Sequence, residues 1–259
     1  MEIDPPSPAI NAYQSLEARL HDVFWATEGP PVELPLLRSF LEIHLGPSLE
    51  IGCGSGRLLY PLIEAGFSVE GLELSADMIQ LCREHPTPAT IHHGNMDQWQ
   101  APQRYASLLV PAFTLQLSQD PAAALKHFAT MLQDRGMIYL STFTPLAEIL
   151  GDLPENTWYP DHQTLLPDGS LAVLHTLHRV DREQQLLERS HRYEIHDSSG
   201  QCLSSHESQQ RIHWITREQL KRMLTAAGFE IVQQYADFKP SRKSLKQAQI
   251  ISTIARRIG

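Results

Sequence analysis

Residues 49–62 read LEIGCGSGRLLYPL: an apolar run, glycines at 52, 54 and 56, then a basic residue and leucines at helical spacing. No other stretch limits the fold so strongly. Glycine lacks a Cβ and tolerates left-handed backbone, so such a turn lets a ligand lie close to the chain. The N–H groups left free where the following helix begins can point at it. A strand, a glycine turn and a helix in that order also form the repeating unit of a parallel α/β sheet.

The chain around the turn continues that grammar. SLEIG predicts a first strand, and the helix after the turn ends at Gly66. FSVEGLEL predicts a second strand, followed by a helix capped by Ser75 and stopped by the PTP at 86–88. ATIHHG and YASLLV are a third and a fourth strand. Asp120 and Pro121 open the helix AAALKHFATML, and MIYLSTF after Gly136 is a fifth strand. From about residue 157 to 215 helical periodicity disappears. SLAVLHTLHRV, QLLERSHRYEIH and CLSSHESQQRIHWI predict an antiparallel meander with one polar face, its turns at DRE and DSSG. Thr216 and Gln219 form a capping box for a helix ending at Gly228, and FEIVQQYADF and AQIISTIARR are late strands. An amphipathic stretch at about 10–25 and a helical pattern at 32–44 precede the glycine turn.

The expected fold class is therefore α/β: a Rossmann-like, doubly wound, mostly parallel seven-stranded sheet with an antiparallel β insertion forming a cap. The expected organisation is a helical segment at 1–45, a core built from 46–150 and 216–259, and the cap at 151–215. The chain has 259 residues, 42% of them hydrophobic, enough for a sizeable core. Its net charge of −9 argues against a nucleic-acid partner, the basic segment 239–246 (KPSRKSLK) notwithstanding. No window is long and apolar enough for a membrane helix, and the acidic, proline-rich MEIDPPSPAI does not read as a signal peptide. Three cysteines without a C-x-x-C pair suit a reducing compartment, so the expected location is the cytoplasm.

The ligand class follows from spacing. A dinucleotide fingerprint, G-x-G-x-x-G, would need glycine where Arg57 stands. A carboxylate, Glu73, ends the second strand 21 positions after Gly52, where it can accept hydrogen bonds from a ribose diol. The competing reading is that it merely caps the helix that follows. LEIGCGSGR, GLELSADMI, HGNMDQW and LLVPAFTLQLSQDP, in that order, resemble the motifs of class I S-adenosylmethionine-dependent methyltransferases of the small-molecule subgroup. The likeness spans essentially the whole chain.

What this resemblance implies is a cofactor site for S-adenosyl-L-methionine. Gly52, Cys53, Gly54 and Gly56 would supply close backbone approach, and Glu50 would orient the loop or meet the cofactor ammonium. Arg57 would take its carboxylate, or else lie outward along the helix. Glu73 would hold the ribose, Leu74 and Met78 the adenine faces, and Asn95 with the Met96 N–H the adenine edge. Asn95 departs from the family's usual aspartate, though its carbonyl oxygen can still accept a hydrogen bond. Val110 would close the site at the end of the fourth strand. Tyr13, Gln116, Trp158 and Tyr159 are candidates for the acceptor site, each with core packing as the competing reading.

The implied reaction is methyl transfer to an N- or O-nucleophile on a small molecule, driven by proximity and orientation with no obligate base. The alternative is a catalytically silent binding or scaffold protein on the same fold. A monomer, or a homodimer through the β insertion, is expected. No metal site is expected: His92–His93 and His175–His178 point to opposite faces of their strands, so neither pair converges on an ion.

Overall fold

The computed structural model describes residues 12–241, 244–245 and 248–259. Two helices come first, α1 (Ser15–Thr27) and α2 (Leu34–Ile43). The alternating region follows as β1 (Ser48–Ile51), α3 (Leu59–Glu64), β2 (Val69–Glu73), α4 (Ala76–Arg83), β3 (Ile91–His93) and β4 (Tyr105–Val110). A short 3-10 turn at Thr114–Leu117 leads to α5 (Pro121–Met131), β5 (Leu132–Phe143) and α6 (Leu146–Leu150). The meander has four strands, β6 (Tyr159–Leu165), β7 (Leu171–Asp181), β8 (Leu186–His196) and β9 (Cys202–His213). The chain closes with α7 (Arg217–Ala226), β10 (Phe229–Ala236) and β11 (Ile250–Arg257).

The first sheet has seven strands in the order β10-β11-β5-β4-β1-β2-β3, and the second has four in the order β6-β7-β8-β9. In the first sheet β1 to β5 pair in parallel, while β11 runs antiparallel between β5 and β10. The second sheet is antiparallel throughout. This is the fold class that the strand–helix alternation predicts. The meander carries one more strand than its sequence suggested, because β6 has no clean polar–apolar alternation.

Local chemistry explains the helix starts. The Ser75 hydroxyl accepts from the Met78 N–H at 3.2 Å, Asp120 Oδ1 accepts from the Ala122 and Ala123 N–H groups at 3.0 Å each, and Thr216 and Gln219 complete their capping box. Alternation along the strands sorts side chains onto two faces. Leu49, Ile51, Leu108, Val110, Ile138 and Leu140 pack with α5 and α7 on one face. Leu109, Met137 and Tyr139 pack with α2 and α3 on the other. Glu50 lies between Leu49 and Ile51, so the same alternation turns it away from the first of these cores. Helix α1 sits outside both: Leu16, Leu20 and Phe24, four residues apart, pack on Ala172, Leu174 and Tyr193 of the second sheet.

The N-terminal helix begins at Ser15 rather than near residue 10, and residues 10 and 11 lie outside the described part. Part of the basic segment 239–246 also lies outside it. No described helix is long and apolar enough to cross a membrane.

Candidate active site

The glycine bend leaves the carboxyl end of β1, the strand flanked by β2 on one side and β4 on the other, where strand order reverses and open α/β sheets leave a crevice. Gly52, Gly54 and Gly56 all have positive φ (+73°, +56° and +91°). Their surroundings differ. A Cβ on Gly52 would lie 2.6 Å from Thr114 Cγ2, and one on Gly56 would lie 2.4 Å from the Tyr60 ring. Gly56, just before α3, thus allows close packing against Tyr60 of that helix, the role a third glycine at 57 would have in dinucleotide folds. A Cβ on Gly54 would meet nothing within 4 Å. That face of the bend is open to a cavity of about 1600 Å³.

Glu73 is bound to this bend. Its Oε2 accepts from the Gly54 N–H at 2.9 Å, and its Oε1 accepts from Leu74 N at 2.9 Å and Ser75 N at 2.7 Å. Both readings of Glu73 therefore have a physical basis: the carboxylate ties down the start of α4, and a lone-pair site remains on Oε2 at the cavity wall. Glu50, 2% exposed, also lines the cavity, and its Oε2 has no hydrogen-bond partner. Burial pushes its carboxyl well above the usual range, with Cys82, Glu33 and Glu73 adding to the rise and Arg57 opposing it. An unpartnered buried carboxylate is costly unless a cation or donor meets it.

Arg57 is a cationic feature of the same wall. Its guanidinium lies 4.6 Å from the Trp25 ring centroid, and among the described residues no carboxylate pairs with it within 4.0 Å. Burial lowers its pKa, while Asp22, Glu33 and Glu50 raise it. Cys53 lines the cavity as a buried free thiol, held well above its usual pKa by its contact with Cys82 and by burial. Leu74, Met78, Asn95 and Met96 stand on the same wall. Asn95 Oδ1 accepts from the Asp97 N–H at 2.9 Å, and Asp97 in turn accepts from Ser118 Oγ at 2.6 Å and Gln119 N at 3.2 Å. Asp97 is therefore committed to the loop after β4.

The structure brings Tyr13 to the same cavity, where its carbonyl accepts from Ser75 Oγ and its N–H donates to Glu17 Oε2 at 2.6 Å. Burial raises the Tyr13 phenol. The other acceptor candidates lie elsewhere. Gln116 is fully buried: its Nε2 donates to the carbonyls of Phe143 (3.0 Å) and His213 (2.9 Å), and its Oε1 accepts from Phe143 N at 2.7 Å. Its polar atoms are used up in joining the two sheets. Trp158 stacks under the Arg192 guanidinium at 4.3 Å and Tyr159 packs edge-on to His178, and neither lines the cavity. Val110 is fully buried in the sheet core.

Sequence reasoning missed the far half of the cavity. It continues under the second sheet, where Glu17, Asp161, Arg189, His191 and Tyr193 line it. Arg189, His191 and Tyr193 are two apart on β8 and so share a face, the only trace they leave in the sequence. Arg189 pairs with Glu148, and Tyr193 OH bonds Glu17 Oε1 at 3.2 Å. His175 and His178 do point to opposite faces, with His178 fully buried. Glu194, His196 and Cys202 offer metal-type donor atoms within 4.8 Å of one another on a hairpin, a grouping that the sequence separation of Cys202 concealed; none of them lines the cavity.

Known proteins share this fold. A family model described as a methyltransferase domain matches residues 36–234. The dTDP-3-amino-3,6-dideoxy-alpha-D-glucopyranose N,N-dimethyltransferase of Streptomyces fradiae is 29% identical over 192 residues, 71% of this chain and 69% of that protein. The sugar N-methyltransferase KedS8 from Streptoalloteichus sp ATCC 53650 superimposes with a TM-score of 0.73 at 18% identity, covering 100% of this chain and 99% of that one. S-adenosylmethionine-bound CalS10, described as an amino pentose methyltransferase from Micromonospora echinaspora, does so with a TM-score of 0.68 at 16% identity over 95% and 98%.

Proposed function

This chain belongs to the methyltransferase domain family and is an S-adenosylmethionine-dependent methyltransferase, and from that premise we propose that its acceptor is an amine on a small, polar, sugar-like molecule. The observation that carries this reading is the single cavity joining the glycine bend to the polar inner face of the second sheet. At about 1600 Å³ it exceeds the span of roughly 300–1,000 Å³ usual for one small-molecule site, leaving room for a cofactor and an acceptor together. The similarity to the Streptomyces fradiae amino-sugar enzyme supports nitrogen as the acceptor atom.

The residues fit the cofactor. Gly54 lets its backbone lie against the ligand, the unpartnered Glu50 carboxylate suits an ammonium, and Arg57, steadied on Trp25, suits a carboxylate. Glu73 would take a ribose hydroxyl, Leu74 and Met78 the adenine faces, and Asn95 and Met96 the adenine edge. When bound, the cofactor supplies an activated methyl: the amine lone pair forms the new N–C bond, the S–C pair stays on sulfur, and the extra proton leaves with the ammonium product. The protein is left to orient the two reactants and exclude water. Helix α1 does the latter, closing the cavity from above through Tyr13, Glu17 and Trp25.

Calorimetry with S-adenosylhomocysteine tests the cofactor half. Mass spectrometry after incubation with S-adenosylmethionine and dTDP-3-amino-3,6-dideoxy-α-D-glucopyranose tests the acceptor half. Binding of the first and addition of one or two methyl groups to the second is the expected result. Binding of S-adenosylhomocysteine with transfer only to hydroxyl analogues of the sugar would overturn the amine assignment.

A further inference from the structure

The second sheet presents to the cavity a polar group that cofactor binding does not use. His191 of β8 pairs in register with Thr176 of β7. The Thr176 hydroxyl donates to Asp161 Oδ2 at 2.7 Å, so its oxygen is left to accept from His191 Nδ1, 3.3 Å away. This relay places the imidazole proton on Nδ1 and the lone pair on Nε2. Nε2 is buried and has no hydrogen-bond partner, and His191 lines the cavity.

The surroundings keep the ring uncharged. Burial disfavours the imidazolium, Arg189 on the same strand adds to this, and Asp161 opposes it, leaving a pKa of about 4. Other titratable groups stand around it, among them His206 of β9, in register with Tyr193 and with its own Nε2 unpartnered. Arg189 is paired with Glu148, Tyr193 is bonded to Glu17 on α1, and burial lowers the pKa of His178 on β7. A polar atom in such a place is tolerated where a ligand completes its hydrogen bonding.

We propose that His191 is the acceptor subsite: its Nε2 takes a hydrogen bond from the N–H of the reacting amine and so turns the nitrogen lone pair toward the methyl group. The assignment rests on the amine reading above. An uncharged acceptor suits this task, because an imidazolium would repel the substrate cation and could not accept the N–H. His191 takes no proton in the reaction, and the acid limb of the rate profile belongs to the substrate amine.

Two readouts test it. In protein labelled with ¹⁵N-histidine, the His191 signal, identified by its loss in His191→Gln, should show an unprotonated Nε2 and a protonated Nδ1 from about pH 8 to about pH 5.5. Thr176→Val should remove that tautomer preference. In kinetics with S-adenosylmethionine and dTDP-3-amino-3,6-dideoxy-α-D-glucopyranose as the probe amine, His191→Phe should raise KM for the amine and lower kcat/KM roughly 10- to 100-fold, the loss of one hydrogen bond to a buried acceptor. S-adenosylhomocysteine affinity should hold within about twofold, and His191→Gln, whose amide oxygen can accept the same N–H, should recover part of the loss. A protonated Nε2 at neutral pH, or wild-type turnover in His191→Phe, would overturn the assignment and leave the amine reading intact. Wild-type protein that binds S-adenosylhomocysteine but does not methylate the probe would overturn the amine reading and this subsite with it.

Discussion

At residue scale, the three glycines of the bend have different jobs, and alanine substitution separates them. Gly52 and Gly54 both have positive φ, where an L-residue loses roughly 1–2 kcal/mol. Gly52→Ala adds a clash with Thr114, so it should lower the melting temperature more than Gly54→Ala does. Gly54→Ala meets no protein atom, but its methyl enters the cavity, so it should cost more in S-adenosylhomocysteine affinity than in stability. Differential scanning fluorimetry with calorimetry on both variants reads the two effects. Equal loss of affinity in both would contradict the division. Glu50 gives a second test at this scale. Burial raises the carboxyls of Glu17, Glu33 and Glu50 above 4.5. A folded-state value above the unfolded one gives stability that is fully present below pH 4.5 and lost as pH rises through the folded value. An ammonium ligand needs Glu50 ionised, so the thermal shift caused by S-adenosylhomocysteine should grow from about pH 5 to about pH 8. Glu50→Gln should flatten that trend, reduce affinity roughly 10- to 100-fold and leave the apo protein at least as stable, because an ionic hydrogen bond is lost but a buried charge is also removed.

At the scale of elements, what could be read from the sequence was what is decided locally. Caps at Ser75, Asp120 and Thr216, the glycine bend and the strand–helix alternation are each settled within a few residues, and the structure contains them all. The seven-stranded sheet and the place of Glu73 beside Gly54 follow from that alternation. What could not be read depends on register between distant strands. Nothing near Gln116 shows that its amide will span from Phe143 to His213, and nothing near His191 shows that Thr176 will stand beside it. Trp158 and Tyr159 drew notice as aromatics near a boundary, yet Trp158 meets Arg192 and Tyr159 meets His178, away from the cavity. Helix α1 shows the same limit, since its apolar stripe was visible but not its second role. Through Trp25 it stacks on Arg57, and through Ser15 N, bonded to Asp77 Oδ2, it is tied to α4. Trp25→Ala should therefore weaken S-adenosylhomocysteine binding a few-fold, in line with about 0.5–1 kcal/mol for an exposed cation–π contact, with little change in melting temperature. Hydrogen exchange should show the amides of 15–27 gaining protection with ligand. Unchanged exchange there would mean that α1 does not close on the site.

The whole molecule is two sheets facing one cavity, so its activity depends on how the second sheet is held over the first. Gln116 is the main polar tie: three hydrogen bonds from one buried amide join the loop after β4, the end of β5 and the end of β9. Around it Leu187, Ile212 and Trp214 pack with Leu117 and Phe143. Replacing Gln116 with alanine leaves the Phe143 N–H and two carbonyls unpaired in a buried place, at about 1–3 kcal/mol for each group that water cannot reach. A melting temperature lower by roughly 2–4 °C per kcal/mol lost follows for a chain of this size. The proposed cofactor cradle is built from the first sheet, the loops at its carboxyl edge, α4 and α1, and none of its groups bonds to Gln116. S-adenosylhomocysteine affinity measured well below the new melting temperature should thus stay within about threefold, while kcat/KM for the amine acceptor falls more than about tenfold, because a misplacement near 1 Å is enough to cost that much. Parallel loss of cofactor affinity and turnover would mean that the variant had loosened the core as well. Full retention of both would mean that the apolar packing alone sets the angle between the sheets.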